Sequence, residues 1–300
     1  MKYAHILLAV ASEIWAIDEF KLDQIVAFLA LQADGEKLSA EELQARITKQ
    51  TERDVARREG SVAILPLRGV IANRMNLMSD ISGGTSSEGF GRMFDASVAD
   101  SQVKAIVIDT DSPGGVVSGT DELSTKIFNA RGQKPIIAHV NSTAASAAYW
   151  IATAADEVVL NPSAEVGSIG VMGVHDDVSA ALEKAGVKRT LMKAGKYKAE
   201  MAPFLPISEE TIAHQQGRIE AYHDQFVRAV ARNRNVALAT VRDSFGQGRM
   251  VMAADAVSLG MADGIATLEE TLARFGAASK PAERRKGFAA EREKRALQII

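Results

Sequence analysis

The stretch Ala105-Ile106-Val107-Ile108-Asp109-Thr110-Asp111-Ser112-Pro113-Gly114-Gly115-Val116 reads as a buried strand over residues 105–109, a tight turn, and the start of a helix at Val116. Continuous β-branched apolar residues suit a strand covered on both faces. Pro113 removes one amide donor, whereas Gly114 and Gly115 present bare amides in backbone conformations other residues avoid. Two readings follow. The glycine amides stabilise an oxyanion or cradle an anion, or the glycines serve only a tight β-α turn.

Working outward, residues 62–70, 135–140, 157–160 and 189–192 read as further short buried strands. Residues 88–99, 116–130, 144–155 and 178–185 read as helices between them. This alternation predicts an α/β fold with a mostly parallel sheet covered on both faces. A long helix over residues 208–233 starts at Ser208 with Glu209 and Glu210 in its first turn. Residues 253–272 form the last folded piece.

Before the first strand, Leu22, Ile25, Val26 and Leu29 fall at helical spacing, and Ser39 opens a second helix as a capping box. Residues 1–60 therefore read as a helical arm, including Trp15-Ala16-Ile17, with a charged linker over 51–60. Residues 61–276 form the main domain, and residues 277–300 read as a charged tail, mobile or a solvated helix. No internal repeat is present.

Composition bounds the chemistry. The 300 residues carry 35 Lys+Arg and 38 Asp+Glu, a net charge of −3, which lacks the basic footprint of a nucleic-acid binder. With no cysteine, disulfides, thiolate metal sites and a cysteine nucleophile are excluded. The start of the chain faintly resembles a secretory leader ending at Ala9-x-Ala11, but its apolar run is short and carries His5. No segment reaches the roughly 18 apolar residues of a membrane span, so no membrane anchor is expected. No phosphate loop, dinucleotide fingerprint or metal-ligand cluster is found, so no cofactor or metal is expected.

Asn141-Ser142-Thr143-Ala144-Ala145-Ser146-Ala147-Ala148-Tyr149-Trp150 forms a second strand-to-helix junction. Alanines around Ser146 let a peptide approach its hydroxyl, and a helix N-terminus favours developing negative charge. Alternatively, Ser142 or Thr143 caps the helix and Ser146 packs inside it.

A nucleophilic serine needs a base. Of the histidines, only His139 and His175 lie near strand ends, and Asp176 and Asp177 after His175 permit a Ser-His-Asp arrangement. The competing base is Lys198 in Gly195-Lys196-Tyr197-Lys198, followed by Met201-Ala202-Pro203-Phe204. A lysine neutral near pH 7 costs roughly 4 kcal/mol against its ordinary state, so Lys198 would need a dry pocket. Lys193 and Lys196 read as surface cations. Glu165-Val166-Gly167-Ser168-Ile169-Gly170-Val171-Met172-Gly173 alternates small and apolar residues as a glycine-rich strand would, and its glycines admit a neighbouring backbone, including a bound peptide, or simply pack closely.

Four segments in this order, Ser112 to Gly115, Ala144-Ala145-Ser146, Val166 to Val171, and Gly195 to Lys198 running on to Pro203-Phe204, resemble the signal peptide peptidase A family of serine proteases. The resemblance covers residues 62–272. It implies a Clp-protease/crotonase-like spiral of β-α-β units and a Ser-Lys dyad. It assigns Ser146 as nucleophile, Lys198 as general base and Ser168 as the residue orienting that base. Gly114, with Gly115, becomes the oxyanion donor, and Gly167, Ile169 and Gly170 line the substrate. Ala147-Ala148 depart from the family's usual Gly-Gly. The short arm and single protease domain are similar to head (capsid) maturation proteases of tailed phages and prophages. That type implies scaffold, coat or portal polypeptides as substrates, a homo-oligomeric ring, and a setting in the bacterial host cytoplasm and procapsid. Rival expectations are a bacterial signal-peptide or quality-control peptidase of the same family, a Clp-like triad using His175, a crotonase-type acyl-CoA enzyme, and a non-enzymatic capsid assembly module.

Overall fold

The computed structural model describes residues 14–18, 22, 56–74 and 84–276. Strands β1 (Trp15–Ile17), β2 (Arg57–Glu59), β3 (Val62–Arg68), β4 (Val70–Ala72) and β5 (Gly84–Ser86) precede helix α1 (Ser87–Ala99). Next come β6 (Ala105–Ser112), β7 (Gly114–Val116), α2 (Thr120–Asn129), β8 (Ile136–Ala145), α3 (Ala147–Ala152), β9 (Glu157–Leu160) and β10 (Glu165–Gly167). The remainder is α4 (Ser179–Lys184), α5 (Glu209–Arg234), α6 (Leu238–Ser244), β11 (Met250–Met252), α7 (Ala253–Ser258), β12 (Gly264–Ile265) and α8 (Leu268–Ala273).

Among the described residues the strands form two sheets, one of 8 strands along β11-β10-β8-β6-β3-β2 with β9 and β12 attached, the other of 4 in the order β1-β7-β4-β5. The centre of the large sheet is parallel: β3 pairs β6, and β6 pairs β8. The α/β expectation with a mostly parallel sheet holds. One face packs under Phe90 and Phe94 of α1, Leu123 and Ile127 of α2, and Trp150 of α3. Trp150 stacks on Phe226 of α5 with ring centroids 4.5 Å apart. On the opposite face Val62, Ile64, Val107, Ile137 and Val159 meet Leu272 of α8.

Strand β8 forks the sheet. Ile137–Val140 pair with β9, whereas Thr143–Ala145 pair with β10. On its other edge, Thr110 pairs with Val140 but Ser112 pairs with Ala144. Residues 141–143 thus stand opposite Asp111 alone, an insertion that bends β8 where it changes partner.

Several expectations are corrected. Trp15–Ile17 is not helical: it is a buried strand antiparallel to β7, which supplies the ladder partners that three apolar residues need. Arg57–Glu59, expected in a linker, pairs with β3. Both short strands therefore join the sheets rather than an arm. Val116 belongs to β7, not to the following helix, because the chain enters the second sheet before α2 begins. Residues 144–145 remain strand because β6 and β10 pair with them. Residues 189–192 form no strand and are exposed, with no neighbouring strand to satisfy their backbone. The strand expected around residues 165–173 stops at Gly167. Leu22 is buried, and its amide donates to Asp18 O at 3.1 Å, as in a helical turn. The rest of the helices expected over 19–55, and the tail from 277, lie outside the described residues. Ser208 caps α5 as expected, accepting from Thr211 N at 3.1 Å.

Gly114, at a φ of 99°, is wedged: an added Cβ would lie 2.3 Å from Ala16 O and 2.9 Å from Ala145 O. Gly114→Ala is expected to destabilise the fold by about 1–3 kcal/mol, whereas Gly170→Ala, whose Cβ would meet nothing within 4 Å, leaves stability near wild type. Equal denaturation midpoints for the two variants would contradict this packing. A second test concerns Asp263, which accepts from Arg234 at 2.7 and 2.8 Å and from Val158 N at 2.7 Å. Burial pushes its carboxyl up, but Arg234 and the Val158 amide outweigh that and hold it below the ordinary range. A carboxyl depressed on folding stabilises above its unfolded pKa and loses that contribution as pH falls through the folded value. Asp263→Asn should therefore cost about 1 kcal/mol at pH 7 in this partly exposed pair. Urea unfolding at stepwise lower pH should show the difference shrinking below about pH 4.

Candidate functional site

The end of β8 delivers Ser146 into a sharp turn before α3, at φ 52° and ψ −115°. A non-glycine residue there carries about 1–3 kcal/mol of backbone strain, which persists only where the surroundings fix it. Two contacts do so: Ser146 N donates to Gly167 O at 2.8 Å, and Trp150 N donates to Ser146 O at 2.9 Å. The residue is 0 % exposed. Its Oγ donates to Gly170 O at 3.3 Å.

Gly114 lies beside this turn, with Ala145 O close to its Cα as described above. Its amide donates to Ser112 Oγ at a long 3.2 Å, while Ser112 Oγ donates to Gly69 O at 2.6 Å. Gly115 is placed differently. Asp18 N donates to Pro113 O and Val117 N to Ile14 O, so the intervening Ala16/Gly115 pair falls on the hydrogen-bonded register of β1 and β7. The Gly115 amide is thereby directed into the ladder, away from Ser146.

Across the turn, Ser168 also has a positive φ, 50°, and its amide donates to Arg249 O at 3.0 Å. Gly167, Ile169 and Gly170 are brought to Ser146 through the two carbonyl contacts. Beside them opens a cleft of about 340 Å³ walled by Ile169 and Val171, by Ile219 and His223 of α5, and by Val241 and Arg242 of α6. Sequence reading did not assign α5 and α6 to this site.

Lys198 is not in a dry pocket within this chain. It is exposed, in a segment of turns, and its ammonium group makes no hydrogen bond or ion pair with another described residue. Lys193 and Lys196 are exposed as expected. Lys196 donates to Glu210 at 2.8 Å and to the Tyr197 hydroxyl at 2.9 Å, and these bonds raise its pKa.

The histidine alternative is not assembled. His139 is buried on the α8 side of the sheet, where its Nδ1 lies 3.2 Å from Thr271 Oγ1. Burial lowers its pKa, favouring the neutral ring. His175 makes no hydrogen bond to Ser146, and Asp177 instead accepts from Ser179 N at 2.9 Å. Among the described residues no group of acidic or histidine side chains could hold a metal ion, and no helix is long and apolar enough to cross a membrane.

The chain is 29 % identical over 244 residues to the capsid assembly protease C of Escherichia phage lambda, covering 79 % of this chain and 55 % of that protein. It is 35 % identical over 170 residues to the head-tail preconnector protein GP5 of Enterobacteria phage P21, covering 57 % of this chain and 34 % of that one. With Protease 4 of Salmonella typhi it shares 28 % over 222 residues, or 74 % of this chain and 35 % of that protein. The chain thus spans between about a third and just over half of the length of these relatives. Residues 129–280, just over half of the chain, match the family described as Peptidase family S49. That span takes in the strained turn at Ser146, the Gly167–Gly170 segment against it and Lys198, and the chain belongs to peptidase family S49.

Proposed function

We propose that the chain is a serine endopeptidase with a Ser146–Lys198 dyad, processing phage scaffold, coat or portal polypeptides during head maturation. The observation that carries this reading is the strained Ser146 turn with the Gly114 backbone beside it. Lys198, neutral, takes the hydroxyl proton as Ser146 Oγ attacks a peptide carbonyl, and Gly114 N–H stabilises the oxyanion. Lys198 returns the proton to the leaving amine, and water activated by the same amine then clears the acyl-enzyme. Ser168 orients Lys198. Gly115 contributes packing rather than a donor, since its amide is directed at β1. The substrate lies along Gly167, Ile169 and Gly170, and its binding opens the bond between Ser146 Oγ and Gly170 O.

Residues 61–276, completed by β1 and β2, form the protease domain, and its forked sheet supports a Clp-protease/crotonase-like spiral. The base needs a dry site that one chain lacks. In the stretch of chain that carries Lys198, Val187, Leu191, Tyr197 and Leu205 are all exposed, with Met192 at 91 %. A second copy covering this apolar run in a homo-oligomeric ring dehydrates the lysine and makes it a base. The names of the two phage relatives support the capsid setting, and with it a place in the bacterial host cytoplasm.

A fluorophosphonate probe should label the chain once, at Ser146, and Ser146→Ala should abolish the adduct by intact mass. Labelling retained in that variant would defeat the assignment. Lys198→Arg should lower peptide hydrolysis by about 10³-fold or more, because guanidinium does not give up its proton at these pH values. Met192→Glu should shift the sedimentation profile toward the monomer and lower specific activity together. Full activity in a monomeric species would rule out the proposed role of the second copy.

A further inference from the structure

Behind the Ser146 turn, on the α8 side of the large sheet, lies a polar cluster outside the chemistry described above. Asp109 is 1 % exposed, although a buried carboxylate is costly unless paired. One of its oxygens accepts from Arg68 and the other from Asn141 Nδ2. Asn141 is also held through its main chain, its carbonyl accepting from Asn161 Nδ2 at 2.9 Å. Asn161, at the end of β9, donates its own amide to Val140 O at 2.9 Å. Two residues further along β6, desolvation raises the Asp111 carboxyl above its ordinary range; the Arg68 guanidinium and the Thr143 amide approach it and pull the other way, while the neighbouring Asp109 adds to the rise.

These contacts coincide with the fork. Residues 141–143 are the ones inserted opposite Asp111, where β8 leaves β9 for β10. Asp109 and Asn161 grip the insertion at Asn141, where it begins, and Asp111 faces it at Thr143, where it ends. Ala144 and Ala145 then resume pairing, and Ser146 follows directly. An insertion without such anchors could take up its extra length at several positions, each delivering Ser146 to a different place relative to Gly114.

We propose that Asn141, Asp109 and Asp111, with Arg68 as their shared cation, are positioning residues that fix the bend of β8 and thereby the placement of the Ser146 hydroxyl against the Gly114 amide. This rests on the reading of Ser146 as nucleophile. None of them touches the reacting atoms; they act through the strand that carries Ser146. A displacement of about 1 Å at a reacting group is worth roughly 10²-fold in rate, so loss of an anchor should show as slow acylation by a folded protein.

The test compares full-length wild type, Asn141→Ala and Asp111→Ala. Thermal melting establishes that each is folded at the assay temperature. The rate of Ser146 acylation by a fluorophosphonate and the kcat and KM for a peptide are then measured. Asn141→Ala should slow acylation and kcat by roughly 10- to 100-fold, with KM within about threefold of wild type. Should Asn141→Ala fail to fold, Asp111→Ala, which alters an exposed side chain, carries the test, with acylation expected to slow by at least about threefold. Folded variants acylated at the wild-type rate, or losses matched by the unfolded fraction, overturn this proposal alone. A wild-type chain that is never labelled at Ser146 overturns the nucleophile assignment, and this proposal with it.

Discussion

The site depends on one serine held in a backbone conformation it would not adopt unaided. Ser146 stays at a φ of 52° because its amide is bonded to Gly167 O, its carbonyl starts α3, and Gly114 closes in from β7. The glycine is required for that approach, since a methyl group would collide with two carbonyl oxygens. The turn is therefore assembled from three separate stretches of chain, and no local property of residues 141–150 would hold it.

The forked sheet is what brings those stretches together. A strand that kept β9 as its partner throughout would carry Ser146 away from Gly167. By changing partner after Val140, β8 places its last residues between β6, which leads to Gly114, and β10, which ends at Gly167. The apolar packing of Trp150 on Phe226 then fixes α3 from below, so the serine sits between a rigid helix and a rigid strand end. Charge is handled differently on the two sides. Asp109 is buried and matched by Arg68 and Asn141, whereas Lys198 stands in solvent within the single chain.

Much of this was legible beforehand. The alternation of apolar runs with helical spacing around residues 62–160 predicted an α/β fold, and the long helix starting at Ser208 follows its capping signal. Ser146, Gly114 and the Gly167–Gly170 segment were recognisable because small residues and glycines stood at strand ends, and the fold does bring them together. Misreadings arose where short segments had no intrinsic preference. Trp15-Ala16-Ile17 is as compatible with a helix as with a strand until Gly114–Val116 lies alongside it. Gly115 looked equivalent to Gly114 because two adjacent glycines are indistinguishable until the register of β1 directs one amide into a ladder.

Sequence by itself bounded the chemistry available: any nucleophile an oxygen or an amine in a chain without cysteine, glycines where backbone must approach backbone, and a set of buried strands with helices between them. These follow from side-chain volume, polarity and periodicity, which are local. Tertiary structure alone decided which strand β8 joins, which glycine amide is taken up by the β1–β7 ladder, that His139 lies on the far side of the sheet, and that Lys198 is exposed in the single chain. Those outcomes depend on hydrogen-bond register and burial between residues distant in sequence, and neither quantity exists until the chain has folded.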